Sequence, residues 1–148
     1  GKKGLKAARS IALLSYRTSV AYNLTQKEED DEKMASFKAS SYQAYQGDKL
    51  VARFNPYSYR CLTCLADTHN IGRKRGGVIN ALKETEAEVL CVGIGSDLLY
   101  PTDEQKFIAS HMKKGEYVEI DSFYGHDGFL IETALVTDVV RKFWARTI

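Results

Sequence analysis

Long apolar runs are missing from this sequence. Nothing approaches the roughly 18 consecutive residues that a membrane-crossing helix needs, and no secretory leader is visible. Cysteine is sparse and odd in number: Cys61, Cys64 and Cys91. Three thiols do not make a disulfide framework, so reduced cysteines in a cytoplasmic protein are expected. Charge of one sign is lacking as well. Lys and Arg total 21 against 19 Asp and Glu, a net +2, which gives no electrostatic case for nucleic acid or an anionic membrane. What remains is 148 residues, 44% of them hydrophobic, enough for an ordinary buried core.

The first part of the chain reads as helices without strands. Residues 5–23 contain neither Gly nor Pro, and Leu5, Ala8, Ala12 and Ser15 recur on one face, widened by Ile11 and Leu14. Arg9 and Tyr16 lie seven residues apart, two turns along the same side; by pattern alone they are an exposed cation and an amphipathic tyrosine. The acidic run from Thr25 to Lys33 lacks the ligand alternation and glycine of a calcium loop and reads as a solvated connection or a first helical turn. Ser40–Phe54 is expected to be helical with a break at Gly47, and Tyr42, Tyr45, Lys49 and Phe54 are its candidate contact face. Asn55-Pro56 opens another helix, to Thr68. Cys61 and Cys64 fall inside it at helical spacing, and core cysteines are the better reading of that Cys-x-x-Cys.

After a glycine-rich basic link, His69–Gly77, the pattern changes. Its three cations are most simply a solvated turn, with a phosphate site for a substrate tail as the sharper alternative. A short helix at Val78–Glu84 precedes a strand at Ala87–Ile94 and a helix at Thr102–Lys114. A second strand follows at Tyr117–Ile120, then a terminal helix at Phe129–Ala145. Such alternation marks an α/β sheet with parallel crossovers. Two strands cannot make a stable parallel sheet alone, so this half is expected to be the end of a larger one.

Two residues follow strand ends at one sheet edge. Asp97 stands in Gly93-Ile-Gly-Ser-Asp97-Leu-Leu-Tyr-Pro101, and His126 in Ser122-Phe-Tyr-Gly-His-Asp-Gly-Phe-Leu130. Open α/β sheets place their sites at this edge. An acid bonded to an imidazole fixes its tautomer and stabilises its protonated form. Asp97 is equally well placed as a turn cap before Pro101, and His126 as a structural loop histidine. Asp127 adds a carboxylate suited to a cationic group. Gly93-Ile-Gly95 lacks the third glycine of a dinucleotide loop. Asp then His are the last two members of the Ser…Asp…His order of α/β-hydrolases. The first is missing: none of the ten serines sits in a Gly-x-Ser-x-Gly frame, Ser96 being a near miss. Cys91 lies within a strand and is expected to be buried, and no metal-ligand constellation stands out.

Four motifs in order then carry a resemblance. Gly4-Leu-Lys-Ala-Ala-Arg-Ser-Ile-Ala-Leu-Leu-Ser-Tyr-Arg17, Ser41-Tyr-Gln-Ala-Tyr-Gln-Gly-Asp-Lys-Leu-Val-Ala-Arg-Phe54, Gly95-Ser-Asp-Leu-Leu-Tyr-Pro101 and Tyr124-Gly-His-Asp-Gly-Phe-Leu130 resemble the C-terminal part of the homoserine O-acetyltransferase family. The resemblance implies an α/β-hydrolase fold: a helical lid and dimerisation region over residues 1–76, then the last two strands with their helices over 77–148. It implies Asp97 and His126 as triad acid and base, Asp127 as the contact for the homoserine amino group, and Arg9 and Tyr16 as lid residues touching substrate. Implied substrates are acetyl-CoA and L-homoserine in methionine biosynthesis, with no further cofactor. A homodimer through the lid helices is implied as well. The serine-bearing half does not occur in these residues, so an inactive fragment of the enzyme is expected. The alternatives are a related acyltransferase or esterase with another acceptor or donor, and a non-catalytic dimerisation remnant.

Overall fold

The computed structural model describes residues Gly1–Thr147. The chain divides into two compact units, Gly1–His69 and Asn70–Ile148. The division falls at the start of the glycine-rich link rather than at its end.

The first unit is helical throughout: α1 (Lys2–Tyr16), α2 (Ser19–Gln26), α3 (Lys38–Arg53) and α4 (Pro56–Thr68). The expected single helix over 5–23 is two helices. Arg17 ends the first by taking an extended conformation, and the hydroxyl of Thr18 after it accepts the Ala21 N–H at 3.1 Å, capping the second. A β-branched hydroxyl residue competes well for that role and poorly for a helix interior. The expected break at Gly47 does not occur. Gly47 is buried within α3, and a Cβ there would stand 2.6 Å from Lys6 Cγ and 3.1 Å from the Lys6 carbonyl. The glycine therefore lets α1 and α3 approach closely, and the Lys6–Asp48 ion pair closes over the contact at 2.7 Å. The core of this unit is Leu5, Leu13, Ala21 and Leu50. Ile11 and Leu14, expected to widen the buried stripe of α1, are exposed, because α3 covers only the narrower Leu5–Leu13 line.

Asn55 caps α4 as read, its side chain accepting the N–H groups of Tyr57 and Ser58. The cysteines of α4 correct the sequence reading: Cys61 and Cys64 are both exposed. No residue of α4 is buried, and Tyr57, Leu62 and Leu65 stand outward with them. Helical spacing does give α4 an apolar side, but Cys61, Leu62, Cys64 and Leu65 on it are exposed.

The second unit contains α5 (Val78–Lys83), β1 (Val89–Ile94), α6 (Thr102–His111), β2 (Gly115–Ile120), a 3-10 turn (Gly125–Asp127), α7 (Gly128–Ile131) and α8 (Thr133–Thr147). The strands pair in parallel, in register from Val89 opposite Gly115 to Ile94 opposite Ile120, and α6 is the crossover packed on both. Ala81, Leu82, Ile94, Ala109 and Ile120 form the core. Although β1 reads as a continuously apolar strand, Val89 to Val92 are only half-buried. That is the signature of a strand whose second edge and outer face are uncovered in a two-stranded sheet. The terminal helix also differs from its expected span. It is interrupted at Glu132, whose ψ of 47° breaks the helix while its carbonyl accepts the Val136 N–H at 3.0 Å. On the far side of β2, both terminal nitrogen–oxygen contacts between Arg146 Nη2 and the Glu116 carboxylate are short, 2.8 and 2.7 Å, tying α8 to the strand.

Candidate active site

The site grows out of the ends of the two strands. The last ladder bond runs from the Gly95 N–H to the Ile120 carbonyl at 3.0 Å. Beyond it the backbones part, β1 turning through Asp97 and β2 through Ser122. The Asp97 N–H donates to the Ile94 carbonyl at 3.0 Å, so the turn doubles back on its own strand. The carboxylate then uses both oxygens. Oδ1 accepts the Leu99 and Tyr100 N–H groups at 2.8 and 3.0 Å. Oδ2 lies 2.8 Å from His126 Nδ1. The two sequence readings of Asp97, turn cap and imidazole partner, are thus one arrangement: the cap fixes the carboxylate, and the fixed carboxylate meets the ring.

His126 sits in the 3-10 turn after Gly125, whose φ of 69° is left-handed and favours a residue without Cβ. The imidazole is held between aromatic rings, with Tyr100 and Phe129 each 5.3 Å away centroid to centroid. The side chain of Asp97 is 6% exposed and that of His126 22%. A nearly buried carboxylate with three hydrogen-bond donors and a partly open imidazole is the division of labour a proton relay needs. An ionised carboxylate only accepts, so Nδ1 carries the proton and basicity is placed on Nε2. The arrangement can take a proton from a nucleophile and return it to a leaving group.

The other residues picked from the sequence fall as follows. Asp127 is half-buried in the same 3-10 turn as His126. Arg9 and Tyr16 belong to the first unit, where the Arg9 guanidinium carbon lies 5.4 Å above the Tyr16 ring. Two helical turns bring them together. Cys91 is half-buried, and burial pushes its thiol pKa up, which disfavours the thiolate a nucleophile would need. Among the described residues no group of three or more His, Cys, Asp or Glu is arranged to hold a metal, and no helix is long and apolar enough to cross a membrane.

Sequence reasoning passed over the residues around the pair. Tyr100 and Phe129 read as ordinary loop and helix-start aromatics; their signal was their distance from the acid and the histidine, three residues in each case. Ser96 was weighed only as a nucleophile, and Ser122, one of two polar residues buried in this unit, not at all.

No protein-family model matches the chain. Curated relatives do. The chain is 45% identical over 144 residues to a homoserine O-acetyltransferase of Cyclobacterium marinum, an alignment spanning 97% of this chain and 41% of the relative. The crystal structure of homoserine O-acetyltransferase from Staphylococcus aureus superposes with a TM-score of 0.69 at 32% identity, over 90% of this chain and 38% of that one. The enzyme of that name from Bacillus anthracis superposes with a TM-score of 0.82 at 20% identity, over 96% of this chain and 41% of that one, a likeness of fold. The resemblance carried by the four motifs is borne out. This chain is homologous to a C-terminal fragment of proteins of that name, which have the α/β-hydrolase fold. It spans about 40% of the length of the relatives it matches.

Proposed function

We propose that this chain is the C-terminal part of a homoserine O-acetyltransferase, the part that supplies the acid and base of a Ser–His–Asp triad. The observation that carries this reading is the 2.8 Å contact of Asp97 with His126 at the ends of two parallel strands. Its support from outside the site is the 45% identity over nearly the whole chain.

In the intact enzyme a serine outside these residues attacks the thioester carbonyl of acetyl-CoA. His126 takes the serine proton, the C–S bond breaks, and the proton passes to the departing thiolate. The acetyl group now sits on serine oxygen. His126 next deprotonates the hydroxyl of L-homoserine, whose oxygen attacks the acyl-enzyme, and the proton returns to the serine as it leaves. Asp97 stabilises the imidazolium in both halves. Asp127 receives the homoserine ammonium. Arg9, whose planar fork matches a carboxylate, and Tyr16 are the substrate contacts the reading offers in the helical unit. The reading carries a place in methionine biosynthesis, in the cytoplasm, and a homodimer formed through the helical unit. The outward Tyr57, Leu62 and Leu65 of α4 are the kind of surface such an interface covers. The 148 residues by themselves are expected to be inactive.

Intact-mass measurement of the polypeptide made from the whole gene tests the proposal. Incubation with acetyl-CoA should add one acetyl group, and L-homoserine should discharge it as O-acetylhomoserine. A full-length product that neither gains acetyl nor acetylates homoserine would overturn it.

A further inference from the structure

The ladder between β1 and β2 ends at Gly95–Ile120, yet the atoms that must meet lie beyond it, on Asp97 and His126. One side chain spans that gap. The Ser96 hydroxyl donates to the Ser122 carbonyl at 2.5 Å and accepts the Gly125 N–H at 3.0 Å. It therefore joins the residue before Asp97 to both ends of the segment that delivers His126. Ser122 holds the middle of that segment, its own hydroxyl accepting the Tyr124 N–H at 3.2 Å. Three cross-links now succeed one another along the diverging chains: backbone at 95, hydroxyl at 96, carboxylate to imidazole at 97.

We infer that Ser96 is the positioning residue of the acid–base pair, continuing the parallel ladder by a side chain where the backbone can no longer do so. A single oxygen that donates to a carbonyl and accepts from an N–H is what a hydroxyl offers and what alanine or cysteine does not at these distances. Ser96 is half-buried and Ser122 is 6% exposed, so water is a poor substitute at the shorter of the two bonds. Removing the hydroxyl leaves a buried carbonyl and a left-handed glycine N–H without their partner. The His126 turn then loses its bridging hydrogen bonds to the Asp97 turn, and the catalytic contact is left with the packing of Tyr100 on the imidazole to hold it. Ser96 is not the missing nucleophile: its hydroxyl is already committed in both directions.

This inference rests on the role proposed above for Asp97 and His126 but is tested without turnover. The readout is the low-field imidazole proton on His126 Nδ1, followed by proton NMR in the 148-residue chain. Asp97→Asn identifies the signal by abolishing it. Ser96→Ala is expected to keep the dispersed amide spectrum of the folded chain while speeding exchange of that proton with water by about tenfold, the order expected for losing a short hydrogen bond to a half-buried group. Ser96→Thr, which keeps the hydroxyl, should restore slow exchange. Exchange in Ser96→Ala within about twofold of wild type would overturn the inference, as would failure of Ser96→Thr to rescue. If Ser96→Ala loses its amide dispersion, Ser96→Thr decides alone: slow exchange supports the role, and fast exchange in a folded Thr variant overturns it. A wild-type spectrum with no protected imidazole proton overturns both this inference and the pairing beneath it. Absence of an acetyl adduct in the full-length protein, with the proton present, would overturn the transferase and leave the role of Ser96 standing.

Discussion

The two units hold their important residues in different ways. In Asn70–Ile148 the acid–base pair is placed by short, directional links, a ladder bond, a bridging hydroxyl, a capped carboxylate and a left-handed glycine, with the Tyr100 and Phe129 rings packed on the imidazole. Geometry there is specified by hydrogen bonds from elements adjacent in the sheet. In Gly1–His69 the residues offered for substrate contact lie on one helix, the guanidinium of Arg9 over the ring of Tyr16. What fixes that helix is apolar packing of Leu5 and Leu13 and a close approach at Gly47. Hydrogen bonds place atoms to fractions of an ångström, whereas packing places helices. A base must be placed to within a bond length, and the acid–base role proposed for Asp97 and His126 accordingly sits in the unit built the first way.

The sharpest test of that contrast is Asp97→Asn in the full-length protein. Replacing the acceptor with an amide leaves the shape but presents the wrong hydrogen-bonding partner to Nδ1, and transfer should fall by roughly four orders of magnitude. Thermal unfolding should move far less. A variant with near-normal acetyl transfer would remove Asp97 from the mechanism.

In the helical unit the largest effect is on stability. Leu50 is 6% exposed on α3, and Leu50→Ala should destabilise by about 2–5 kcal/mol through lost burial and the cavity left behind. Gly47→Ala is a finer probe of the same contact. Its methyl would fall 2.6 Å from Lys6 Cγ, the middle of a flexible side chain, but also 3.1 Å from a backbone carbonyl that cannot swing away. A loss of about 1–3 kcal/mol is expected from the forced separation. If instead the variant gained stability, as alanine in a helix interior ordinarily does, the close approach of α1 and α3 would be wrong. Denaturant melts of each variant beside wild type distinguish these outcomes.

The contrast also explains what could be read from the sequence. The strand–turn–acid and strand–turn–histidine segments were legible because each is a local pattern: β-branched residues, then glycines, then one polar group. That the acid and the histidine meet follows from the parallel register of neighbouring strands, which local alternation implies. The bridging role of Ser96 was hidden, because a hydroxyl's partners are 26 and 29 residues away and no spacing rule encodes them. In the helical unit the helices themselves were legible, but not their ends or their faces. Thr18 was hidden within a stretch that has neither Gly nor Pro to mark a break, and Gly47 looked like a breaker because its use is tertiary. The exposed cysteines of α4 misled for the opposite reason: periodicity shows that a helix has an apolar side, not that something covers it.

The smallest effect lies beside the site, where β2 meets α6, and concerns pH. Glu119 Oε2 accepts the Tyr117 hydroxyl at 2.7 Å and stands 3.2 Å from Lys106 Nζ. The tyrosine hydrogen bond first, and the lysine after it, hold the Glu119 carboxyl below its usual range. The unfolded chain, with the ordinary value, then binds a proton before the folded chain does as pH falls. The contribution of this group is therefore complete above the ordinary carboxylate pKa and lost as pH drops through the lowered folded value. Glu119→Gln cannot titrate, so its stability should fall less between about pH 7 and about pH 3 than wild type's does. Because the carboxylate and the lysine are both exposed, the difference should be slight and should shrink further as salt is added. Equal acid sensitivity in the two proteins at low salt would mean that the cluster is surface decoration, and that the strand ends are held by the ladder, Ser96 and Asp97 alone.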